Sequence, residues 1–501
     1  MSRRASPHSS CPATNPREQP LMNTTNTAGL PAQRATGQDA PADGFSREVT
    51  AAYENWRYSH LPAPVVQRIK LFVLDTLGVI AAAAEAPGIP EVNRLLLGWE
   101  GAGPSTVLIG KGRAAPPTAA LANGAAAHAL DFDDNHDPGR VHAYAVILPA
   151  AMAAAEAQGG VSGRDFIAAL ATGVELQARL GLTAPHSMSR GWHPTTVMGA
   201  LGAAAAAARV LDLRADKFSD AVGLAFHQAS GTRQALNDGV LAKRLGAGFA
   251  SRNGTAAAYL AAAGLTGPTR FLEGEAGLFR LYEAGDVRPD ALLQDLGLRW
   301  EVMTHSMKPY PCCRCTHNAI AIGQSLHREG LSPADIESVA IGMSEVNTKI
   351  VGEPYDVARD STIHAQFNAC YCFATALIHG RVDVTTFQRP QITDPVVSAL
   401  AARTRVVVDQ TIASGAMSPT RVTILCRDGR RIERFLEFME GSPEQPMTED
   451  EALAKFSDCL QLGLGATPAE IDCLAGKILS LETCTDVSDV IAQFPGTSKP
   501  R

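Results

Sequence analysis

The stretch from His128 to His142 packs three histidines, four aspartates and an arginine into fifteen residues: His128, Asp131, Asp133, Asp134, His136, Asp137, Arg140 and His142. Acids and imidazoles mixed in this way move protons near neutral pH once burial and neighbouring charges tune them. Alanine-rich segments flank the stretch on both sides. It therefore reads as a loop held by packed helices, the setting in which catalytic groups collect. Two other readings stay open at this point. One is a solvated acidic loop that caps helices; the other is an Asp-x-Asp-Asp plus histidine site for Mg²⁺ or Zn²⁺.

Four further segments carry candidate chemistry. His193 precedes Pro194 and two threonines at the head of an apolar run. A helix N-terminus there offers free N–H groups to a carboxylate, while a capping or packed histidine is the alternative. Lys243, Arg244 and Arg252 fall in a glycine-containing stretch that lacks the GxxxxGK[ST] order of a nucleotide loop. They read either as a carboxylate clamp or as a surface basic run. Lys308 opens KPYPCCRCTHNAI, whose Cys312, Cys313 and Cys315 lack CxxC metal spacing and read as small packing groups at a helix start. Tyr355 and His364 lie ahead of a later apolar run, where Tyr355 either reaches a substrate or packs.

The elements that must position these groups are mainly helical. Val65, Val66, Ile69, Phe72, Val73, Leu77 and Ile80 recur at three- and four-residue steps. The run from Val197 to Ala208 is apolar on every face and predicts a central helix. Ser162 suits an N-cap, Gly264 a helix end, and Thr448 with Glu451 a capping box. After Trp300 the pattern changes: IESVAIGMS reads as a strand, and two alternating runs flank Asp428-Gly429, a hairpin signal. The expected fold is mainly α with an α+β lid. Residues 1–44 are expected to be a disordered tail, 45–304 and 441–494 a helical domain built from both ends of the chain, and 305–440 a smaller inserted α/β domain.

The 501 residues carry a formal net charge of −7, which argues against nucleic acid as the main partner but not against a small anion bound by a few local cations. No apolar run reaches the roughly 18 residues of a membrane helix. Ten cysteines without a disulfide-dense pattern suit a reduced, cytoplasmic compartment.

In order along the chain, HALDFDD, HAYAVILPA, GWHPTTVMGALGAAAAAARVLDL, KRLGAGFASRNG, KPYPCCRCTHNAI and AQFNACYCFATALIHG resemble the MmgE/PrpD family, which includes 2-methylcitrate dehydratases and cis-aconitate decarboxylases. The resemblance implies a helical domain with an inserted lid, a homodimer and a site between the domains. It implies Asp131, His142, His193, Lys243 and Lys308 as site residues. It departs at Ala143 and Tyr144, where the family has Pro and Ser, and at Asn135, where family decarboxylases carry Thr. The expected activity is a lyase, dehydratase or decarboxylase, on a small citrate-like polycarboxylate. An isomerase or epimerase of a related dicarboxylate is the alternative. Lys243, His193 and Lys308 are expected to hold carboxylates, His142 to transfer the proton and Asp131 to orient it or fix its charge. Asn135 and Tyr355 are expected at the substrate, with neither metal nor organic cofactor required.

Overall fold

The computed structural model describes residues 44–99 and 102–496. The tail expected over the first 44 residues thus lies, except for Gly44, outside the described residues.

The chain opens with α1 (Phe45–Glu54), α2 (Ala63–Ala82) and α3 (Ile89–Trp99), then a two-stranded antiparallel ribbon of β1 (Ser105–Val107) and β2 (Gly112–Ala114). Next come α4 (Pro116–His128), α5 (Tyr144–Gln158), α6 (Gly163–Thr183), α7 (Pro194–Val210), α8 (Asp216–Phe226), α9 (Gln234–Asn237), α10 (Ala242–Ala262) and α11 (Leu278–Glu283). Ser162 caps α6 by accepting from the Asp165 N–H, and all of α7 is buried, as its composition predicts.

Alanine and glycine let these helices cross at backbone distance. A Cβ on Gly248 would stand 2.5 Å from the Leu121 carbonyl oxygen, and one on Gly124 3.0 Å from the Gly248 Cα. This crossing of α4 with α10 leaves the last residue of α4, His128, beside the first turn of α10, which carries Lys243. The α5, α7 and α10 N-termini all open toward the same place, so the residues at their starts, His142, His193 and Lys243, share one cavity wall.

A second apolar core begins at Tyr310 and runs to Cys426. It contains α12 (His317–Arg328), α13 (Glu345–Val351), α14 (Thr362–Gln366), α15 (Ala369–His379), α16 (Pro395–Ala401) and the strands β3 (Ile336–Met343), β4 (Thr404–Val408), β5 (Thr420–Cys426) and β6 (Arg431–Leu436). The sheet order is β4-β3-β5-β6, with β3 and β4 parallel and the other pairs antiparallel. The turn between β5 and β6 holds Asp428-Gly429, with Gly429 at φ 87°. The chain then returns to the first core: α17 (Glu449–Leu464) packs on α2, followed by α18 (Pro468–Leu479) and α19 (Ser488–Ile491). Thr448 and Glu451 form the expected capping box. Among the described residues no helix is long and apolar enough to cross a membrane.

Candidate active site

The loop between α4 and α5 is pinned from four sides. Gly139 crosses α6 so closely that a Cβ there would lie 2.9 Å from the Ala178 carbonyl oxygen. The Asp134 carboxylate accepts from the Ala143 and Tyr144 N–H groups at 3.0 and 2.9 Å and so starts α5. Its Oδ2 also meets His305 Nδ1 at 2.9 Å. Asn135 and Ser306 exchange backbone hydrogen bonds of 3.0 and 2.7 Å, which sets Lys308 over Asp131. From α17, Lys455 Nζ donates to the Phe132 and Lys308 carbonyls at 3.0 and 2.8 Å and pairs with Asp75 at 2.6 Å.

Asp131 stands at the centre, in the left-handed region at φ 54°, which aspartate tolerates better than most residues. Its Oδ1 is 2.5 Å from Lys243 Nζ and its Oδ2 3.3 Å from Lys308 Nζ. Lys308 Nζ also donates to the Asp131 carbonyl at 2.9 Å. Burial opposes ionisation of Asp131, but the two ammonium charges outweigh it and hold the carboxyl far below the usual range. Burial likewise disfavours the Lys308 ammonium, and Asp131 and Asp133 override it, raising the pKa. Asp131 is therefore a fixed anion that spaces two cations. A group so firmly ionised does not carry protons near neutral pH.

His142 is oriented by other groups than the expected Asp131. Its Nδ1 lies 2.7 Å from the Asp134 carbonyl and 3.2 Å from Asp133 Oδ2. Both are acceptors, so Nδ1 carries the hydrogen and Nε2 is the basic nitrogen of the neutral ring; the tautomer is assigned from this network. Asp133 also meets His128 Nδ1 at 2.8 Å. Burial works against the Asp133 carboxylate, yet the two rings aimed at it hold it well below the ordinary range. Burial first, then the Lys243 charge, pushes His128 down to about 4. His193 is also kept neutral, by burial and then by His128 and Lys243. It occupies the N-cap position of α7 without a side-chain cap, its Nδ1 2.8 Å from Thr196 Oγ1, and so faces the site as a neutral hydrogen-bonding ring, not as the cation expected to clamp a carboxylate.

Asp131, Asn135, His142, His193, Lys243 and Lys308 line one cavity. Asn135 turns its amide to Asp137. Tyr355 is not brought there: its hydroxyl donates to the Ile392 carbonyl at 2.5 Å and its ring stacks on His364. Arg140, Arg233 and Arg314 also line it, so five cations face two carboxylates, Asp131 and Asp137. Asp133 and Arg140 stood in the candidate stretch without a role of their own, while Arg233, Arg314 and Lys455 were not singled out by the sequence. The Asp-Asp pair after Phe132 was the available signal for Asp133.

His128, Asp133 and His142 are a group whose donor atoms, within 4.8 Å of one another, could hold a metal. In this arrangement His128 Nδ1 meets Asp133 Oδ2 at 2.8 Å, while Asp133 Oδ1 and His128 Nε2 are buried without a hydrogen-bond partner. Cys313 and Cys315 reach the cavity. The hydrogen bond to Cys313 and then burial raise the Cys315 thiol well above its ordinary value, and burial does the same to Cys312, so neither is a thiolate nucleophile.

The MmgE/PrpD N-terminal domain matches residues 47–289 and the MmgE/PrpD C-terminal domain residues 310–478. A cis-aconitate decarboxylase-like protein of Aspergillus oryzae, oryM, is 29% identical over 89% of this chain and 97% of its own length. The cis-aconitate decarboxylase of Aspergillus terreus is 27% identical over 89% of this chain and 95% of its own. That of Homo sapiens is 28% identical over 91% and 95%. The chain belongs to the MmgE/PrpD family.

Proposed function

We propose that the protein is a lyase that removes CO₂ from a citrate-like polycarboxylate, with its own side chains moving the proton. The observation that carries this reading is the pairing, in one cavity, of a cation cluster held by Asp131 with the basic Nε2 of His142. The names and coverage of the decarboxylase relatives support CO₂ as the leaving group over water.

In this reading the substrate carboxylates sit on Lys243, Lys308 and the arginines through charge-assisted hydrogen bonds. The C–C bond to one carboxylate breaks and CO₂ leaves. The electron pair stays on carbon and spreads into the neighbouring carboxylate. The ammonium groups, already fixed by Asp131, stabilise that enolate-like charge without reorganising. Nε2 of His142 first takes a proton from water, delivers it as Nε2–H to the carbon as the bond breaks, and so returns to the neutral ring. Asp133 and the Asp134 carbonyl hold the ring in line throughout. The α/β core above the cavity acts as the lid, with Val346, Ile350, Phe367 and Met417 as its contribution to the wall.

The test is a turnover screen of chelator-treated protein against cis-aconitate, citrate and 2-methylcitrate, with products read by NMR. Loss of CO₂ with one proton gained supports the reading. Loss of water reassigns the leaving group. Exchange or inversion without elimination would sink the lyase assignment.

A further inference from the structure

A groove of about 300 Å³ continues from the active cavity along α10. His193, Arg233, Leu236 and Lys243 line both, so the two spaces join at these residues. From α10 the groove takes Ala242, Gly246, Phe249 and Asn253, the four-, three- and four-residue steps of one helix face. Lys243 marks its inner end and is buried, while Arg252 marks its outer end and is exposed. Two and a half helical turns separate them, about 13 Å of rise. Gly246 keeps the middle clear: a Cβ there would stand 2.9 Å from Thr196 Oγ1.

The lining is selective in charge. It contains Arg233, Lys243 and Arg252 and the hydroxyls of Ser230 and Thr232, with no aspartate or glutamate. Among the described residues neither Arg233 nor Arg252 forms an ion pair. The Arg252 guanidinium instead donates from Nε and Nη2 to Asn253 Oδ1, a neutral acceptor, at 3.1 and 3.0 Å, and lies over the Phe249 ring. Exposed arginines elsewhere are neutralised, as Arg359 is by Glu353 and Arg389 by Asp360. The chain as a whole carries −7 and repels an approaching polyanion. A cleft lined by one sign of charge counters that repulsion locally and raises the on-rate.

We propose that this groove is the entry path of the anionic substrate, with Arg252 as the capture residue at its mouth and Arg233 as the relay to Lys243. The inference rests on the polycarboxylate reading of the active cavity. Arg252 acts on the anion before it docks, so it governs the rate of arrival rather than the strength of the bound contact.

Stopped-flow binding of citrate to the full chain tests this. The signal is the fluorescence of Trp192, which adjoins His193 and pairs through its backbone with Thr232 of the groove wall. At about 10 mM ionic strength Arg252→Glu should lower the association rate constant roughly threefold to tenfold and the dissociation rate constant by less than about twofold, and the difference should close as salt rises. Lys477→Glu, the same reversal on α18 and outside both cavities, should change neither. Ala235 lines the groove but not the active cavity. Ala235→Trp should therefore slow association and dissociation together, by about fivefold or more, with Kd nearly unchanged, because one route serves entry and exit. Ser230→Trp obstructs the same groove should Ala235→Trp fail to fold. Wild-type association rates in Arg252→Glu, or in the folded tryptophan variant, overturn the path. A wild type that binds no citrate removes the polycarboxylate reading and the path with it, an outcome seen before any variant is made.

Discussion

His142 is the residue on which the chemistry turns, because it is the histidine of its cluster that reaches solvent. Its side chain is 15% exposed, against 0% for both His128 and Asp133. His142→Ala should lower kcat by about 10²–10⁴, the range for a general acid or base, and move Tm little. Near wild-type kcat would remove it from proton transfer. Asp133→Asn is a sharper probe. The Asp134 carbonyl still holds the Nδ1 hydrogen in that variant, so the tautomer should survive, as ¹⁵N NMR of the ring would report, while kcat falls by about 10–100-fold from loss of the charge beside the ring. A flipped tautomer would mean that Asp133, not the carbonyl, sets it. Mixed acids and imidazoles marked the whole His128–His142 stretch as a proton-transfer candidate, and the family resemblance singled out His142 within it. The partner of that histidine was not legible. Asp131 and Asp133 are chemically alike in sequence, and only the fold shows which one meets lysines and which meets imidazole. Tyr355 failed for the same reason: its hydroxyl found a backbone carbonyl within its own core.

At the scale of elements, the site depends on α17 far from it in sequence. Lys455 uses its ammonium on Phe132, Lys308 and Asp75 together. Lys455→Met should cost about 3–5 kcal/mol, because it strands a buried carboxylate, and should also raise KM by loosening Lys308. Adding Asp75→Leu should recover much of the stability but not the KM. Additive losses in thermal unfolding of the double variant would contradict the pairing. The α4–α10 crossing is as demanding. Gly248→Ala should destabilise by about 1–3 kcal/mol through overpacking against the Leu121 carbonyl, measured by denaturant titration. Helix positions and caps were legible because periodicity and capping boxes are local signals. The crossings were not: glycines at 124 and 248 mark close approach only once their partners are known. The stretch holding Lys243 read as glycine-containing sequence and is a helix, since those glycines serve packing rather than turns.

For the whole molecule, burying neutral histidines beside cations makes stability depend on acid. His128 has an ordinary pKa of 6.5 and a folded value of about 4. Between these values the unfolded chain binds a proton that the folded chain refuses, so stability falls as pH drops from 6.5 toward 4, by on the order of 3 kcal/mol from this group. His128→Gln, which keeps a donor for Asp133 but cannot titrate there, should flatten the Tm profile in that window. An unchanged slope would place the acid sensitivity elsewhere. A whole-chain property of the same kind underlies the function. With a net charge of −7 the protein still gathers five cations at one cavity, which composition alone does not reveal. The most direct test of the lyase reading is turnover of cis-aconitate in D₂O by wild type and His142→Ala side by side, followed by NMR. The account predicts CO₂ release by the wild type with one solvent deuteron per product, delivered to a single face, and no more than trace product from the variant. Equal turnover by both, or deuterium exchange without CO₂, would contradict it.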